Sequence, residues 1–179
     1  MKGYDYSQAG AYFVTIVAWQ REMLFGEIVD GKMALNEMGK IVSEKWQWLE
    51  AQYEYVELGI SVAMPNHFHG ILVIHDLGRG GSRSAPMDDG RPTNLGDSRI
   101  APTAIKRKPL GGLIGAFKTV STKQINLLRN TDGQPVWQRN YYEHIIRDER
   151  EMDRIYRYIE ANPARWAEDD ENTKNVNCR

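Results

Sequence analysis

Two histidines separated by one residue, His67 and His69, are the clearest candidates for chemistry in this sequence. They follow Pro65-Asn66, a turn signal, at the start of an apolar run that is typical of a β-strand. Side chains alternate along a strand, so both imidazoles should point to one face while Phe68 points into the core. Two neutral imidazoles about 5–7 Å apart at the backbone can bind one divalent cation. The alternative is two surface histidines on a half-buried strand. A catalytic metal also needs a third ligand, which must come from elsewhere in the chain.

A tyrosine and an asparagine four residues apart form a second candidate group near the end of the chain. The spacing of residues 148–162 predicts a helix that ends before Pro163. Its buried stripe is predicted to comprise Met152, Ile155, Tyr156 and Ile159. Tyr158 and Asn162 then share one flank of the stripe, at the edge of a groove. A phenol, with a reference pKa of about 10, becomes a useful nucleophile only beside a cation.

Tyr141 and Tyr142 compete with Tyr158 for the role of the reactive tyrosine. They lie on a predicted strand and face opposite ways, so one of them belongs to the core. His144 lies two residues after Tyr142 and can share its face, which makes a weaker constellation. By default, His144 is a strand histidine with a structural partner.

The elements that position these residues follow a ferredoxin-like order. Asp30-Gly31 predicts a small β-ribbon, and Asn36 predicts the start of a helix of about 17 residues. Further strands are predicted at 11–19, 56–64, 67–74 and 141–146, and further helices at 109–130 and 148–162. The order β-α-β-β-α-β plus one helix predicts an α+β fold: an antiparallel sheet, helices on one face and a C-terminal helix.

Length and composition indicate one globular domain. The 179 residues, 41% of them hydrophobic and 26% charged, fit a single domain, which we place at residues 1–166. Residues 77–109 hold five Gly, four Pro and three Ser and predict a mobile insertion. Residues 167–179 are predicted to be a polar tail that frays. No apolar run approaches the roughly 20 residues of a membrane span, and a single cysteine, Cys178, excludes a disulfide framework and favours the cytoplasm.

The formal net charge of −1 hides a basic middle block. Residues 77–140 carry 11 Lys and Arg against 4 Asp and Glu, whereas both flanking parts are net acidic. Such a local field attracts polyanions. The alternative is a solvated loop that happens to be basic.

Two segments resemble a known family. Met64-Pro65-Asn66-His67-Phe68-His69-Gly70 resembles the His-hydrophobe-His signature of the single-tyrosine HUH transposases. Residues 137–148, together with Tyr158-Ile159-Glu160-Ala161-Asn162-Pro163, resemble the branch associated with repeated extragenic palindromes, the REP-associated tyrosine transposases. The resemblance spans roughly residues 10–166, and the segment 77–109 departs from it by its length.

The resemblance implies an activity and a role for individual residues. His67 and His69 would be metal ligands, Tyr158 the nucleophile, and Asn162 a polar third ligand. The family cleaves single-stranded DNA beside hairpins with Mg²⁺ or Mn²⁺, through a 5′-phosphotyrosine link. The implied partner is hairpin-bearing DNA, the implied location is the cytoplasm at the nucleoid, and the protein is expected to act as a monomer or a homodimer.

The basic block would then contact the phosphates of a hairpin stem. The candidate DNA-binding residues are Lys106, Arg107, Lys108, Lys118, Lys123, Arg129 and Arg139. The alternative for the lysines on the helix is that they lie on a solvent-exposed face and bind no DNA. Trp137, Arg139 and Tyr142 could hold unpaired bases, although Trp137 suits the core equally well.

Two other functional classes fit the residues less completely. A nucleic-acid-binding module without catalysis would use the sheet for single strands and would not need the histidines. A phosphodiesterase that uses water would turn over without an adduct, and the helix tyrosine would have no reason to face the metal. The joint presence of both histidines, Tyr158 and Asn162 favours the activity that the resemblance implies. That activity is a strand transferase: an endonuclease that cleaves single-stranded DNA through the tyrosine link and then joins the held end to another strand.

Overall fold

A computed structural model describes residues 9–76 and 107–172. The strands are β1 (Gly10–Val17), β2 (Gly26–Val29), β3 (Lys32–Leu35), β4 (Val56–Ala63), β5 (His67–Ile74) and β6 (Tyr142–Ile146). The helices are α1 (Glu37–Gln52), α2 (Leu110–Arg129) and α3 (Glu149–Ala161). Short 3₁₀ segments lie at Trp19–Arg21 and Pro163–Glu168. The predicted mobile insertion lies outside the described residues, except for residues 107–109.

The main sheet is antiparallel and has the order β4-β5-β1-β6, which confirms the predicted ferredoxin-like α+β fold. Strand β1 lies in the centre and pairs with β5 on one side and β6 on the other. Strands β2 and β3 form the separate ribbon predicted from Asp30-Gly31. Both turn residues have positive φ, 50° and 71°, as a tight two-residue hairpin requires.

The two faces of the sheet carry different helices. Helices α1 and α2 cover one face, where Trp46 packs on Phe68 and Phe117 at ring distances of 4.8 and 5.3 Å. Gly70 allows this approach, because a Cβ there would lie 2.7 Å from the Trp46 ring. Helix α3 packs on the opposite face, where Ile155 and Ile159 join a second core cluster with Phe13, Ile71 and Ile146.

Side-chain caps begin two helices where the sequence predicts them. The Asn36 side chain accepts a hydrogen bond from the Gly39 N–H at 2.9 Å. The Asp148 side chain accepts one from the Glu151 N–H at 2.8 Å. Helix α3 ends at Ala161, one residue before the predicted end at Asn162, which is its C-cap.

The prediction that Tyr156 belongs to the core is wrong. Its side chain is 48% exposed, whereas Ile155 and Ile159 are buried and Met152 is partly buried. Helix α3 contacts the sheet through this narrow i, i+4 stripe, and Tyr156 is turned about 100° away from Ile155.

The prediction that the chain frays from Ala167 is wrong for residues 167–172. The Asn66 amide donates to the Glu171 carbonyl at 2.7 Å, and Arg21 forms an ion pair with the Glu171 carboxylate at 2.9 Å. Asn172 is buried and donates to the Trp166 carbonyl. These contacts fold the segment back over the sheet, beside the histidines.

Each helix in the described part of the chain is too short or too polar to span a membrane.

Candidate active site

The two histidines of β5 point to one face of the sheet, as predicted, and α3 packs on that face. His67 lies opposite Val17 and His69 opposite Thr15 on β1. Both side chains are buried, and their Nε2 atoms face each other at 3.0 Å. Phe68 points to the opposite face and packs in the main core. The alternation of side chains along β5 thus brings two imidazole nitrogens together in a buried environment.

Asn66 determines the tautomer of His67. Its amide Nδ2 donates to the backbone carbonyls of Glu171 and Arg21, at 2.7 and 3.3 Å, so its Oδ1 must be the atom that faces His67. That oxygen lies 3.0 Å from Nδ1 of His67 and can only accept. Nδ1 of His67 therefore carries the proton, and Nε2 presents a lone pair.

His69 is held in a similar way by Thr15. The Thr15 hydroxyl lies 2.8 Å from Nδ1 of His69, which leaves Nε2 facing His67. Burial lowers the pKa of His67 to about 4, although the Asp169 carboxylate opposes this shift. Burial, and then the neighbouring His67, hold the pKa of His69 well below its usual range. Both rings are neutral near pH 7, the state in which imidazole binds metals.

Asp169 completes a group that could hold a metal ion. Ligand atoms of His67, His69 and Asp169 all lie within 4.8 Å of one another. The carboxylate Oδ2 lies 3.9 Å from Nε2 of His67. Two ligands at right angles around a cation with bonds of about 2.1 Å lie about 3.0 Å apart, which is the separation of the two Nε2 atoms.

Asn162 joins this group from the end of α3. Its Nδ2 donates to Asp169 Oδ2 at 3.1 Å. Its Oδ1 is buried and has no hydrogen-bond partner within residues 9–76 and 107–172. A buried oxygen without a partner is costly, and a cation would satisfy it. The donor set of two imidazoles, a carboxylate and an amide oxygen therefore fits a divalent metal ion.

Sequence reasoning missed Asp169. It stands in a run of four acidic residues, Glu168 to Glu171, within a segment that we expected to fray. Only the position seven residues after Asn162, beyond the turn made by Pro163, hinted that it could return to the site. The acidic run alone does not reveal which carboxylate points inward.

Tyr158 reaches the histidines from α3. Its hydroxyl lies 3.4 Å from Nε2 of His69, and the two rings are 5.3 Å apart. Phe13 lies beside both rings: it stacks on His69 at 5.4 Å and packs edge-on against Tyr158 at 6.0 Å. Burial and the Asp169 charge raise the pKa of Tyr158, and the nearby Asn162 amide opposes this shift. The phenol therefore holds its proton near pH 7 in the chain alone.

A cavity of about 400 Å³ opens in front of these residues. Its lining residues are Phe13, Thr15, His69, Tyr142, Tyr158, Asn162, Arg165, Glu168, Asp169, Asp170 and Glu171. Volumes of about 300–1,000 Å³ are typical of ligand sites. Asp169 and Asn162, the candidates for further metal ligands, thus line the same cavity as Tyr158, the candidate nucleophile.

The competing tyrosines occupy different places. Tyr142 is exposed and lines the cavity, whereas Tyr141 is partly buried against the main core. His144 has the structural partner expected of it, since its Nε2 lies 2.7 Å from the Glu151 carboxylate of α3. That contact ties β6 to α3.

The candidate DNA-binding residues differ in what they contact. Arg107 pairs with Asp76 at 2.7 Å, Arg129 donates to Asn126, and the Lys108 ammonium lies over the Tyr53 ring. Lys118 donates to the carbonyls of residues 138–140, and partial burial lowers its pKa to about 8. Lys106 lies outside the described residues. Trp137 belongs to the core and donates to the Ser121 hydroxyl.

Lys123 and Arg139 line a second cavity, of about 500 Å³, between α2 and the segment before β6. Among the residues that the structure describes, neither side chain has a hydrogen bond or an ion pair. Thr119, Thr122 and Asn126 lie in the same lining. This cavity therefore offers two uncommitted cations beside polar groups.

Comparison with known proteins gives relatives of two kinds. No family model matches the sequence. An uncharacterized protein of Haemophilus influenzae is 37% identical over 169 residues, which cover 94% of this chain and 88% of that protein. A solved REP-associated tyrosine transposase, bound to a REP hairpin, superposes with a TM-score of 0.57 at 17% identity, over 93% of this chain and 73% of that chain. A crystal structure of a transposase from Deinococcus radiodurans matches with a TM-score of 0.45 at 15% identity, over 89% of this chain and 94% of that chain.

Proposed function

We propose that this chain is a metal-dependent enzyme that cuts and rejoins single-stranded DNA beside hairpins. The chain belongs to one protein family with the Haemophilus influenzae relative. It has the fold of the REP-associated tyrosine transposase. Tyr158 is its nucleophile, and the DNA is held meanwhile through a 5′-phosphotyrosine link. His67, His69, Asp169 and Asn162 hold the metal ion.

One observation carries this proposal: the Tyr158 hydroxyl lies 3.4 Å from Nε2 of His69, the nitrogen that also faces His67. Packing alone does not require a phenol this close to a pair of neutral imidazoles and a carboxylate. The same residues serve nucleophilic attack on a phosphodiester, which needs a nucleophile and a cation at one phosphate.

A bound cation would neutralise the non-bridging oxygens of the scissile phosphate and favour in-line attack. Tyr158 contributes the attacking oxygen: a bond forms between its Oη and phosphorus while the bond from phosphorus to the 3′-oxygen breaks. The phenol loses its proton and the departing 3′-oxygen gains one, so the step balances without water or a nucleotide. The reverse step, with another 3′-hydroxyl, joins a new pair of ends.

The chain's own side chains hold the site in the required form. Thr15 and Asn66 keep both Nε2 atoms directed inward, and Phe13 keeps the Tyr158 ring beside His69. Because Tyr158 and His69 of the same chain are in contact, a single copy contains a complete site. A monomer therefore suffices for cleavage.

DNA is the proposed partner for two reasons. The similar transposase was solved with a REP hairpin, and this chain has a basic cavity with Lys123 and Arg139 uncommitted. Such cations bind phosphates of a duplex stem without regard to sequence. The stem would lie there, with the unpaired strand extending to the cavity of Tyr158.

The decisive experiment incubates the protein with a labelled hairpin that carries an unpaired flank, plus Mn²⁺ or Mg²⁺, and separates the products on a denaturing gel. We expect a covalent protein–DNA adduct that EDTA prevents. Tyr158→Phe should abolish it while leaving hairpin binding unchanged, and Tyr156→Phe is the matched control on the exposed face of α3.

Three results would overturn parts of the proposal. Binding without any adduct, unaffected by His67→Ala and His69→Ala, would indicate a binding module without catalysis. Metal-dependent turnover without an adduct would indicate hydrolysis by water. An adduct that survives Tyr158→Phe would assign the nucleophile to Tyr142 or Tyr141.

A further inference from the structure

Tyr142 and His69 lie at the same level of the sheet, on either side of the central strand β1. On β1, Thr15 is the partner of His69 on one side and of Tyr142 on the other. Neighbouring strands lie about 4.8 Å apart, so the Tyr142 backbone is about 10 Å from that of His69. Both residues face the same cavity.

The Tyr142 ring has an exposed surface and a firm support. Its side chain is 58% exposed, although it lies within the cavity lining. Beneath it, Phe13 packs edge-on at a ring distance of 6.3 Å, as it does against Tyr158 at 6.0 Å. The Phe13 ring therefore supports two tyrosines, one beside the histidines and one toward solvent.

The lining of the cavity combines aromatic and acidic side chains. Phe13, Tyr142 and Tyr158 form one aromatic group, in which Phe13 contacts both tyrosines. Residues 165–171 contribute four carboxylates and one guanidinium to the same lining. A phosphate placed at the carboxylates without a cation would be repelled, whereas an uncharged base could lie on the aromatic group.

We propose that Tyr142 is a stacking platform for the base of an unpaired nucleotide next to the phosphate that Tyr158 attacks. The inference rests on the proposed function, since it places single-stranded DNA in this cavity. Every base has a π-face, so an exposed aromatic ring binds single strands with little regard to sequence. Stacking here would hold the strand so that the phosphate beside the base lies at the metal group.

This role differs from that of a second nucleophile. Among the described residues, His69 has ring contacts with Phe13, His67 and Tyr158, and Tyr142 contacts Phe13. Tyr142 therefore reaches the site through Phe13 and not through the imidazoles. Its ring, and not its hydroxyl, is the group that the proposed role requires.

The test measures binding in a Tyr158→Phe background, where cleavage cannot interfere. Two labelled DNAs are compared by fluorescence anisotropy: a hairpin with a short unpaired flank and the same hairpin without it. Tyr142→Ala should weaken binding of the flanked hairpin by about 5- to 100-fold, and leave the bare hairpin unchanged. Tyr142→Phe and Tyr142→Trp should restore binding, because both keep an aromatic face.

Tyr156→Ala is the matched control, since Tyr156 is also an exposed tyrosine but does not line the cavity. A 2-aminopurine base in the flank should be quenched by the parent protein and recover its fluorescence with Tyr142→Ala. Equal binding of the flanked hairpin by the parent and Tyr142→Ala would overturn the inference. So would a loss with Tyr142→Phe as large as that with Tyr142→Ala.

The two proposals can fail separately. If Tyr158 forms the adduct but Tyr142→Ala leaves flank binding unchanged, the strand transferase stands and the platform is wrong. If no adduct forms with any metal but Tyr142→Ala abolishes the contribution of the flank, the platform stands and the protein is a binding module. Thermal melting of each variant, with Tm close to the parent, shows that the fold is retained.

Discussion

The hydroxyl of Tyr158 and Nε2 of His69 lie 3.4 Å apart, although 89 residues separate them in the chain. Strand β5 provides the imidazole and helix α3 provides the phenol. Their meeting depends on how α3 packs on the sheet, which it does through Ile155 and Ile159. The position of the proposed nucleophile is thus a consequence of core packing on this face.

Phe13→Leu should slow adduct formation more than it destabilises the fold. The Phe13 ring stacks on His69 and supports Tyr158, so its loss leaves both rings less well positioned. We expect the adduct to form at least about 10-fold more slowly, because small misplacements of reacting groups are costly. The free energy of unfolding should fall by about 1–2 kcal/mol. Single-turnover kinetics and urea unfolding measure the two effects.

Affinity for the hairpin without an unpaired flank is the control for Phe13→Leu, because the proposed stem contacts lie at the second cavity and not at Tyr142. If the rate falls only as much as the folded fraction does, Phe13 has no part in positioning Tyr158.

Asp169→Asn should weaken Mn²⁺ binding by about 10-fold or more, since it removes the charged ligand of the group. Asp170→Asn is the matched control: it removes a neighbouring charge from the same cavity but not a ligand. Isothermal titration calorimetry on the metal-free protein measures both. Similar losses in the two variants would show that the acidic segment acts only through its overall charge.

Asn162→Ala separates the two roles that the structure allows for this amide. As a ligand through Oδ1, it would contribute directly to Mn²⁺ affinity. As a donor to Asp169, it would only orient the carboxylate. We expect Asn162→Ala to weaken Mn²⁺ binding even in the Asp169→Asn background, and no further loss in that background would remove Asn162 from the ligand set.

Acid should destabilise the metal-free protein through its buried histidines. Burial lowers the pKa of His67 to about 4, and the pKa of His69 falls in the same direction. The unfolded chain titrates near 6.5, so between these values it binds more protons than the folded chain. The free energy of unfolding should therefore fall as the pH drops from about 6.5 toward 4, by on the order of 3 kcal/mol for His67.

Urea unfolding in EDTA over this pH range measures the effect. A variant with His67→Asn and His69→Asn should lose most of this part of the pH dependence. His75→Asn is the control, because His75 is exposed and pairs with Glu57 at the surface, away from the site. An unchanged pH profile in the double variant would show that other groups cause the acid sensitivity.

The local signals of the chain predict its fold well. Asp30-Gly31, the caps Asn36 and Asp148, and the stop before Pro163 lie where the structure has its turn and helix ends. These features depend on a few neighbouring residues, so the sequence contains them directly. The alternation that brings His67 and His69 to one face is equally local.

What the sequence does not reveal depends on contacts between distant segments. Tyr156 fits the helical spacing of the buried stripe, yet the sheet contacts only a narrower part of α3. Asp169 becomes part of the site because Asn66 and Arg21 hold the segment around Glu171 against the sheet. Nothing in the acidic run itself specifies those partners.

The second cavity provides a prediction on DNA binding by Lys123 and Arg139. Lys123→Gln together with Arg139→Gln should weaken hairpin binding and reduce the slope of log K against log salt by about 2, because two phosphates would no longer be neutralised. Anisotropy titrations at several salt concentrations measure the slope. Lys40→Gln, which removes an exposed α1 lysine that pairs with Glu37, is the matched control and should leave the slope unchanged.

Lys118→Gln should instead affect stability. Its ammonium donates to the carbonyls of Gln138, Arg139 and Asn140, and only the contact with Gln138 is partly buried. A decrease of about 1 kcal/mol in the free energy of unfolding is expected, since water can reach the other two carbonyls. Lys118 also holds the segment that carries Arg139 in place. Hairpin affinity of the variant should therefore fall as well, but only at temperatures close to its lowered Tm. A Lys118→Gln protein with unchanged Tm and a reduced salt slope would place this lysine on the DNA.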